Sequence, residues 1–271
     1  MTTRSKTKIN QLIQNWPRGV VGTQRWLDAQ GANRFLAQQY CRSGWIERVG
    51  QGAYQLAGDT LEWTGAVYAL QSQLKFEVYV GAQTALELQG YRQYVAQSKG
   101  QPIWLLKSSE EKRKLPQWFA QNFEKQHNIH YLTRALFDDD QLGLMPFTIN
   151  NYELIISVSE RAVLEYLNLV PNYFSLEQAQ FLMEGMMTLR PALLQTLLEH
   201  CTSIKTKRLF LALSEHEEHP WWSSLNFEKL TLGMNKLTIG KGGYYYPRYQ
   251  LSLPIKLGTH EGYYEDDELL P

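Results

Sequence analysis

Cysteine is almost absent: Cys41 and Cys201 are the only two in 271 residues, and they stand 160 positions apart. That scarcity argues against a disulfide-framed secreted domain, and two reduced thiols in a cytoplasmic protein are expected. Long apolar runs are missing too. The longest, such as Leu209–Leu213, fall far short of the roughly 20 residues that cross a bilayer, so no membrane partner is expected. Met1–Asn10 is polar and basic with no apolar stretch behind it, which argues against a secretory leader. Repeats and low-complexity tracts are lacking. No Ser, Cys or Lys sits in a recognisable nucleophile context, so no catalytic residue is named and the chain is not expected to be an enzyme.

What is present is a globular composition with a lopsided charge. Apolar residues make up 44% and aromatics 13%, enough for a sizeable core, and the length allows two domains. The formal net charge is zero, yet residues 1–57 hold eight Lys and Arg against two Asp and Glu, while the other 214 hold 19 against 25. A segment of charge +6 attracts phosphate backbones whatever their sequence, and a neutral average hides it. The last eleven residues are acidic (Glu261, Glu265, Asp266, Asp267, Glu268) and read as a solvated tail.

The basic segment has a helical order. Ile9, Leu12, Ile13 and Trp16 recur at helical spacing until Pro17. Thr23 is placed to cap a second helix carrying Trp26, Leu27 and Ala29, and Gly31 provides a short turn. A third helix, 32–43, is expected to bury Ala32, Phe35, Leu36 and Tyr40 and to show Asn33, Arg34, Ala37, Gln38 and Cys41, with Arg42 at the edge. Arginine can read guanine edges, Asn and Gln can read adenine, and small residues allow close approach to a major groove. Strands at 45–49 and 53–56 flank Gly50-Gln51-Gly52, a tight turn, so the segment ends in a candidate wing. The order is that of a winged helix-turn-helix. Its expected DNA-binding residues are Thr23, Gln24, Arg25, Asn33, Arg34, Gln38, Arg42, Arg48 and Gln51. A structural winged helix that serves only protein contacts is the alternative.

The remainder mixes helices and strands, and the sum is α+β. Helices are expected at 63–73, 82–89 and 191–200, the last opening on Pro191 with Leu193, Leu194, Leu197 and Leu198 inside. Strands are expected at 76–80, 103–106, 129–132, 236–239 and 249–253. Ser157 with Glu160, and Ser175 with Gln178, read as capping boxes. Gly240–Gly243 does not fit a phosphate loop, because Gly233 precedes Gly240 by seven rather than five and Gly follows Lys241. It reads as a hairpin turn. The pairs His200 with Cys201 and His216 with His219 lack zinc spacing and read as surface histidines, so no metal and no cofactor are expected. Asp138–Asp140 reads as a solvated acidic loop. Lys205, Lys207 and Arg208, with Lys241 farther on, form a candidate second basic contact, with a merely solvated face as the other reading.

Several strings, taken in order, resemble the AbiEi-type antitoxins, transcriptional regulators of type IV abortive-infection toxin–antitoxin systems. Gly81-Ala82-Gln83-Thr84-Ala85-Leu86-Glu87-Leu88-Gln89-Gly90 looks like the family signature, and Arg48–Tyr54 like its wing. Leu115-Pro116-Gln117-Trp118-Phe119, Ser159–Glu165, Leu189-Arg190-Pro191, Lys207–Leu211, Leu232-Gly233 and Tyr249–Pro254 continue it, from about residue 8 to 255. Gly240–Gly243 and the following Tyr244–Tyr246 carry fewer basic residues than the family pattern. The resemblance implies an N-terminal winged helix-turn-helix DNA-binding domain, 1–95 with its core at 5–57 plus a connecting segment, and a mixed α/β antitoxin domain, 96–271. It implies double-stranded DNA at promoter inverted repeats as one partner and a nucleotidyltransferase-like toxin as the other, neutralised without a stable complex, in cytoplasmic phage defence.

Overall fold

The structure is a computed structural model that describes residues 3–91, 102–124, 126–133, 135–241, 243–257 and 264–265. The expected domain boundary at 95/96, and Glu261, Asp266, Asp267 and Glu268 of the acidic tail, lie outside these residues. The fold is mixed α+β. The chain gathers into two compact units, each drawn from three stretches: Met1–Val80, Gly100–Thr133 and Pro146–Ile156 in one, Gly81–Lys99, Arg134–Met145 and Ser157–Pro271 in the other.

The first unit begins with α1 (Thr3–Asn15), β1 (Gly22–Thr23), α2 (Gln24–Ala29), α3 (Arg34–Arg42) and the hairpin β2 (Ile46–Gly50) and β3 (Ala53–Leu56). α1 buries Ile9 and Leu12, and Trp16 just past its end is buried as expected, while Ile13 is only half-buried. The Trp16 indole donates to the Val20 carbonyl at 2.9 Å and meets Trp26 edge-on at 5.0 Å. β3 pairs antiparallel with both β1 and β2, giving a three-stranded sheet in the order β1-β3-β2.

A helix follows that changes pitch, α4 (Trp63–Tyr68) running into a π-helical turn at Ala69–Gln73. Its glutamines act as strand edges. Gln73 accepts from the Thr23 amide at 2.8 Å and donates to the Val21 carbonyl at 2.9 Å, closing the open side of β1. Gln71 accepts from the Ile155 amide at 2.9 Å and donates to the Val78 and Ile155 carbonyls. Those last two residues belong to a five-stranded sheet, built from β4 (Val78–Val80), β5 (Ile103–Lys107), β6 (Ile129–Thr133), β7 (Leu144–Ile149) and β8 (Tyr152–Ser157) in the order β6-β5-β4-β8-β7. β5 is apolar and buried from Ile103 to Leu106, as a central strand must be. A short helix, α6 (Gln117–Phe119), continues as a π-helical turn to Glu124 and buries Trp118, Phe119 and Phe123.

The second unit is mainly helical: α5 (Ala82–Leu88), α7 (Ser159–Asn168), α8 (Leu176–Glu184), α9 (Pro191–His200) and α10 (Ile204–Glu217). A small sheet accompanies them, β9 (Leu237–Thr238), β10 (Tyr244–Tyr246), β11 (Leu251–Leu253) and β12 (Tyr264–Glu265), in the order β12-β10-β11-β9. Because β9 and β10 flank β11 rather than pairing, Gly240–Gly243 connects non-neighbouring strands and is not the expected hairpin turn. The Ser175 box forms with Gln178 as read. The Ser157 box does not. Val158 is the N-cap of α7 without a side-chain cap, while Ser157 and Glu160 bond elsewhere.

The histidines and aspartates also differ from expectation. His219 is buried and its Nε2 lies 2.7 Å from the Met183 carbonyl. Asp138 is held by His200 Nδ1 at 2.6 Å rather than simply solvated. Leu193 is only half-buried, while Leu194, Leu197 and Leu198 are core.

Candidate nucleic-acid interface

The N-terminal helices place their polar side chains in two groups, one spent inside and one outside. Thr23 belongs inside. Its hydroxyl accepts from the Trp26 amide at 3.3 Å, capping α2, and the residue is 2% exposed. Gln24 is also buried. Its amide donates to Asp28 at 2.8 Å and to the Ala32 carbonyl at 3.3 Å, and its oxygen accepts from the Tyr54 hydroxyl at 3.1 Å. The sequence pattern puts both at DNA. Instead they hold α2, the turn and β3 together, because every buried polar atom needs a partner and these supply it.

Arg25, Asn33, Arg34, Gln38, Arg42, Arg48 and Gln51 are exposed. Asn33 is the N-cap of α3, accepting from the Leu36 amide at 3.0 Å. Arg34, Gln38 and Arg42 recur every four residues, so they form one stripe along α3. The helix is turned from the expected wheel. Ala37 is fully buried with Tyr40, whereas Phe35 is 68% exposed beside the stripe. Apolarity suggests the core for Phe35, but the buried face of α3 is the one that carries Ala37 and Tyr40, and Phe35 lies off it.

The hairpin stands next to this helix. α3 packs on β2, and the charge of Arg48 reaches the Cys41 thiol, partly offsetting the burial that raises its pKa. Arg48 pairs with Tyr54 in register, its Nε donating to the Gly50 carbonyl at 3.4 Å. Gln51 sits in the turn, and Gly52 there has φ +69°, a conformation that disfavours any side chain. Gly50 lies against α6. A Cβ at that position would come within 2.6 Å of Trp118 Cβ and 3.2 Å of its Cα, and Asn122 donates to the Val49 carbonyl at 3.2 Å. The Leu115–Phe119 string, unexplained in the linear sequence, is thus a brace under the hairpin.

The second basic cluster dissolves. Lys207 and Arg208 are 3% and 1% exposed on α10. Arg208 donates to the carbonyls of Leu232 at 2.6 Å, Asn235 at 2.6 Å and Gln250 at 3.0 Å, so it anchors the C-terminal segments. Burial pushes the pKa of Lys207 down. Lys205 donates to the Asn168 carbonyl at 2.8 Å and to that of Val170. Only Lys241 of the four is exposed.

The other family strings in the second unit meet in one polar cluster. The buried Arg161–Glu165 pair closes at 2.8 Å, and Arg161 also donates to the Asp140 and Leu142 carbonyls. Glu165 accepts from Ser157 Oγ at 2.8 Å and from the Ala82 amide at 3.0 Å, where Ala82 opens α5 with φ +45°. Gln89 donates to the Ser157 carbonyl and accepts from Ser159. Glu160 binds Arg190 through its backbone amide and its guanidinium at 2.7 to 3.0 Å. Burial alone would raise the Glu160 pKa, but these bonds to Arg190 hold it below the ordinary carboxylate range. These are scaffold contacts.

No helix among the described residues is long and apolar enough to cross a membrane. Among them, no group of three or more His, Cys, Asp or Glu is placed to hold a metal ion.

A basic helical head followed by such a scaffold suits a regulator, and residues 5–97 match the family model described as the AbiEi antitoxin N-terminal domain of a transcriptional regulator. Residues 101–254 match the companion model, described as transcriptional regulator, AbiEi antitoxin, type IV TA system. The chain belongs to this family: it is an AbiEi antitoxin and transcriptional regulator of a type IV toxin–antitoxin system. The fold resembles the crystal structure of the RV2827C protein from Mycobacterium tuberculosis, with a TM-score of 0.61 at 13% identity over 93% of this chain and 92% of that one. No curated protein matches.

Proposed function

We propose that residues 3–57 form a winged helix-turn-helix that binds inverted repeats in the protein's own promoter and represses its operon. The rest of the chain neutralises a nucleotidyltransferase-like toxin without a stable complex, in cytoplasmic defence against phage, with no catalysis of its own. The observation that carries the DNA reading is the exposed stripe of Arg34, Gln38 and Arg42 on α3 beside Arg48 and Gln51 of the hairpin, within a segment of charge +6. Helix residues of this kind read base edges, and an exposed arginine on a hairpin contacts backbone. Phe35 joins the stripe and suits a thymine methyl.

Titration of a promoter duplex tests this. Arg34→Ala with Gln38→Ala should lower the preference for the promoter over random duplex by about 1–3 kcal/mol for each base edge no longer read, and Phe35→Ala should weaken one A·T step. Arg48→Ala should weaken both duplexes equally. Unchanged preference in the Arg34/Gln38 variant sinks the reading. A second exposed aromatic, Trp45, favours one other reading, a protein-docking face. A stable complex with a neighbouring gene product, and no DNA shift at low salt, would select it.

A further inference from the structure

Residues 108–114 form a basic loop that lies outside the α3 stripe and the hairpin. Its hub is Arg113. The guanidinium donates to Glu111 Oε1 at 2.9 Å, to the Leu74 carbonyl at 3.0 Å and to the Lys75 carbonyl at 2.6 Å, and lies over the Phe76 ring at 4.0 Å. Glu111 is turned inward, 5% exposed, and also accepts from the Glu77 amide at 3.1 Å. The Arg113 amide donates to Glu111 Oε1 at 2.9 Å and its carbonyl accepts from the Tyr131 hydroxyl at 3.2 Å, so the backbone is held at Arg113 itself and the Glu111 charge is offset. Lys112 and Lys114 are left exposed, against Glu110 as the exposed acid of the loop. Lys112 also touches the Ser109 carbonyl.

Two ties bring this loop to the hairpin sheet. Lys114 precedes Trp118 by four residues, and Trp118 lies against Gly50 at the hairpin turn. The Lys75 carbonyl, held by Arg113, is two residues from Gln73, which closes the edge of β1. Four residues reach at most about 14 Å, so Lys114 stands within roughly 18 Å of the turn. That is about five base pairs of duplex rise at ~3.4 Å each.

We propose that loop 108–114 is a second phosphate-binding site, in which Lys112 and Lys114 contact the backbone of the DNA duplex just beyond the hairpin. This rests on the DNA-binding reading above. A loop held rigid before binding loses little freedom on contact, so two lysines there gain more than two on a free tail. Each neutralised phosphate adds about 0.9 to the slope of log affinity against log salt.

The full-length protein and the double variant Lys112→Gln/Lys114→Gln are titrated from 50 to 200 mM salt on two duplexes. One carries the promoter repeats with about ten flanking base pairs on each side, the other the repeats alone. On the long duplex the variant should lose about 1.8 from the salt slope and bind roughly tenfold more weakly at low salt. On the trimmed duplex the two proteins should bind alike. Lys112→Arg/Lys114→Arg should keep the wild-type slope, and matching thermal melts show that the fold is retained. Equal slopes and affinities on the long duplex overturn the loop site and leave the helix reading standing. A variant deficit that persists undiminished on the trimmed duplex also overturns it. A wild-type protein that binds neither duplex overturns both readings.

Discussion

Single residues decide which charges face outward. Glu165 is the clearest case, since it neutralises Arg161 in a site where both side chains are 1% exposed, while also capping α5 at a left-handed Ala82. Glu165→Gln removes the carboxylate charge that faces the buried Arg161 at 2.8 Å, and a loss of about 3–5 kcal/mol is expected from urea unfolding. A loss below about 1 kcal/mol would show that the backbone carbonyls of Asp140 and Leu142 suffice. The sequence carries this pair as an i,i+4 spacing, which on its own reads as a surface bridge worth a few tenths of a kcal/mol. Burial is a tertiary fact and no local pattern encodes it. The same gap explains Lys207 and Arg208, whose charge suggests solvent or nucleic acid. It also explains Thr23 and Gln24, whose polarity suggests the surface. Arg34, Gln38, Arg42, Arg48 and Gln51 face outward in the sequence pattern, and they are exposed.

Elements show how the hairpin is held. Its turn at Gln51 is legible from the glycines on either side, but the register shift between Arg48 and Gly50 and the brace are not. β2 rests on α6 through contacts between residues about 70 apart in sequence. Gly50→Ala forces its methyl against Trp118 Cβ at 2.6 Å and Cα at 3.2 Å, atoms at the root of the side chain that cannot swing away as its tip would. We expect a destabilisation of about 1–3 kcal/mol in thermal or urea unfolding, with faster amide exchange confined to 46–56. Uniformly faster exchange, or none, would show that α6 does not brace the hairpin. Helix ends are readable where the capping residues serve only the helix, as at Ser175 and Gln178. They mislead at Ser157 and Glu160, whose side chains are claimed by Glu165 and Arg190. A capping motif is a local promise, and a buried charge nearby outbids it.

At the scale of the molecule, each compact unit contains an arginine–carboxylate clasp with a depressed carboxyl pKa. Hydrogen bonds from Arg113 hold Glu111 at about 2, below its ordinary 4.5, and Arg190 lowers Glu160 despite its burial. A carboxyl with a lowered folded pKa stabilises fully above its unfolded value, and that contribution is lost as pH falls through the folded one. Stability should therefore decline from about pH 4.5 toward pH 2, with Glu111→Gln showing a shallower decline from a lower neutral value. Urea midpoints at about pH 3, 5 and 7 measure this. Parallel declines in the two proteins would remove Glu111 as a cause. The α+β class and the collinear strings are legible at this scale, because composition and order survive without geometry. The meeting of those strings in space is not. Arg208 illustrates what that meeting entails. Its acceptors are carbonyls of Leu232, Asn235 and Gln250, so the last arrives 42 residues after the arginine itself. A nascent chain halted before Gln250 must either keep α10 open or enclose a cation without its full set of acceptors. Closure of that helix therefore waits on Gln250, and a chain cut short of that residue would leave Arg208 lacking one acceptor and α10 more open to proteases.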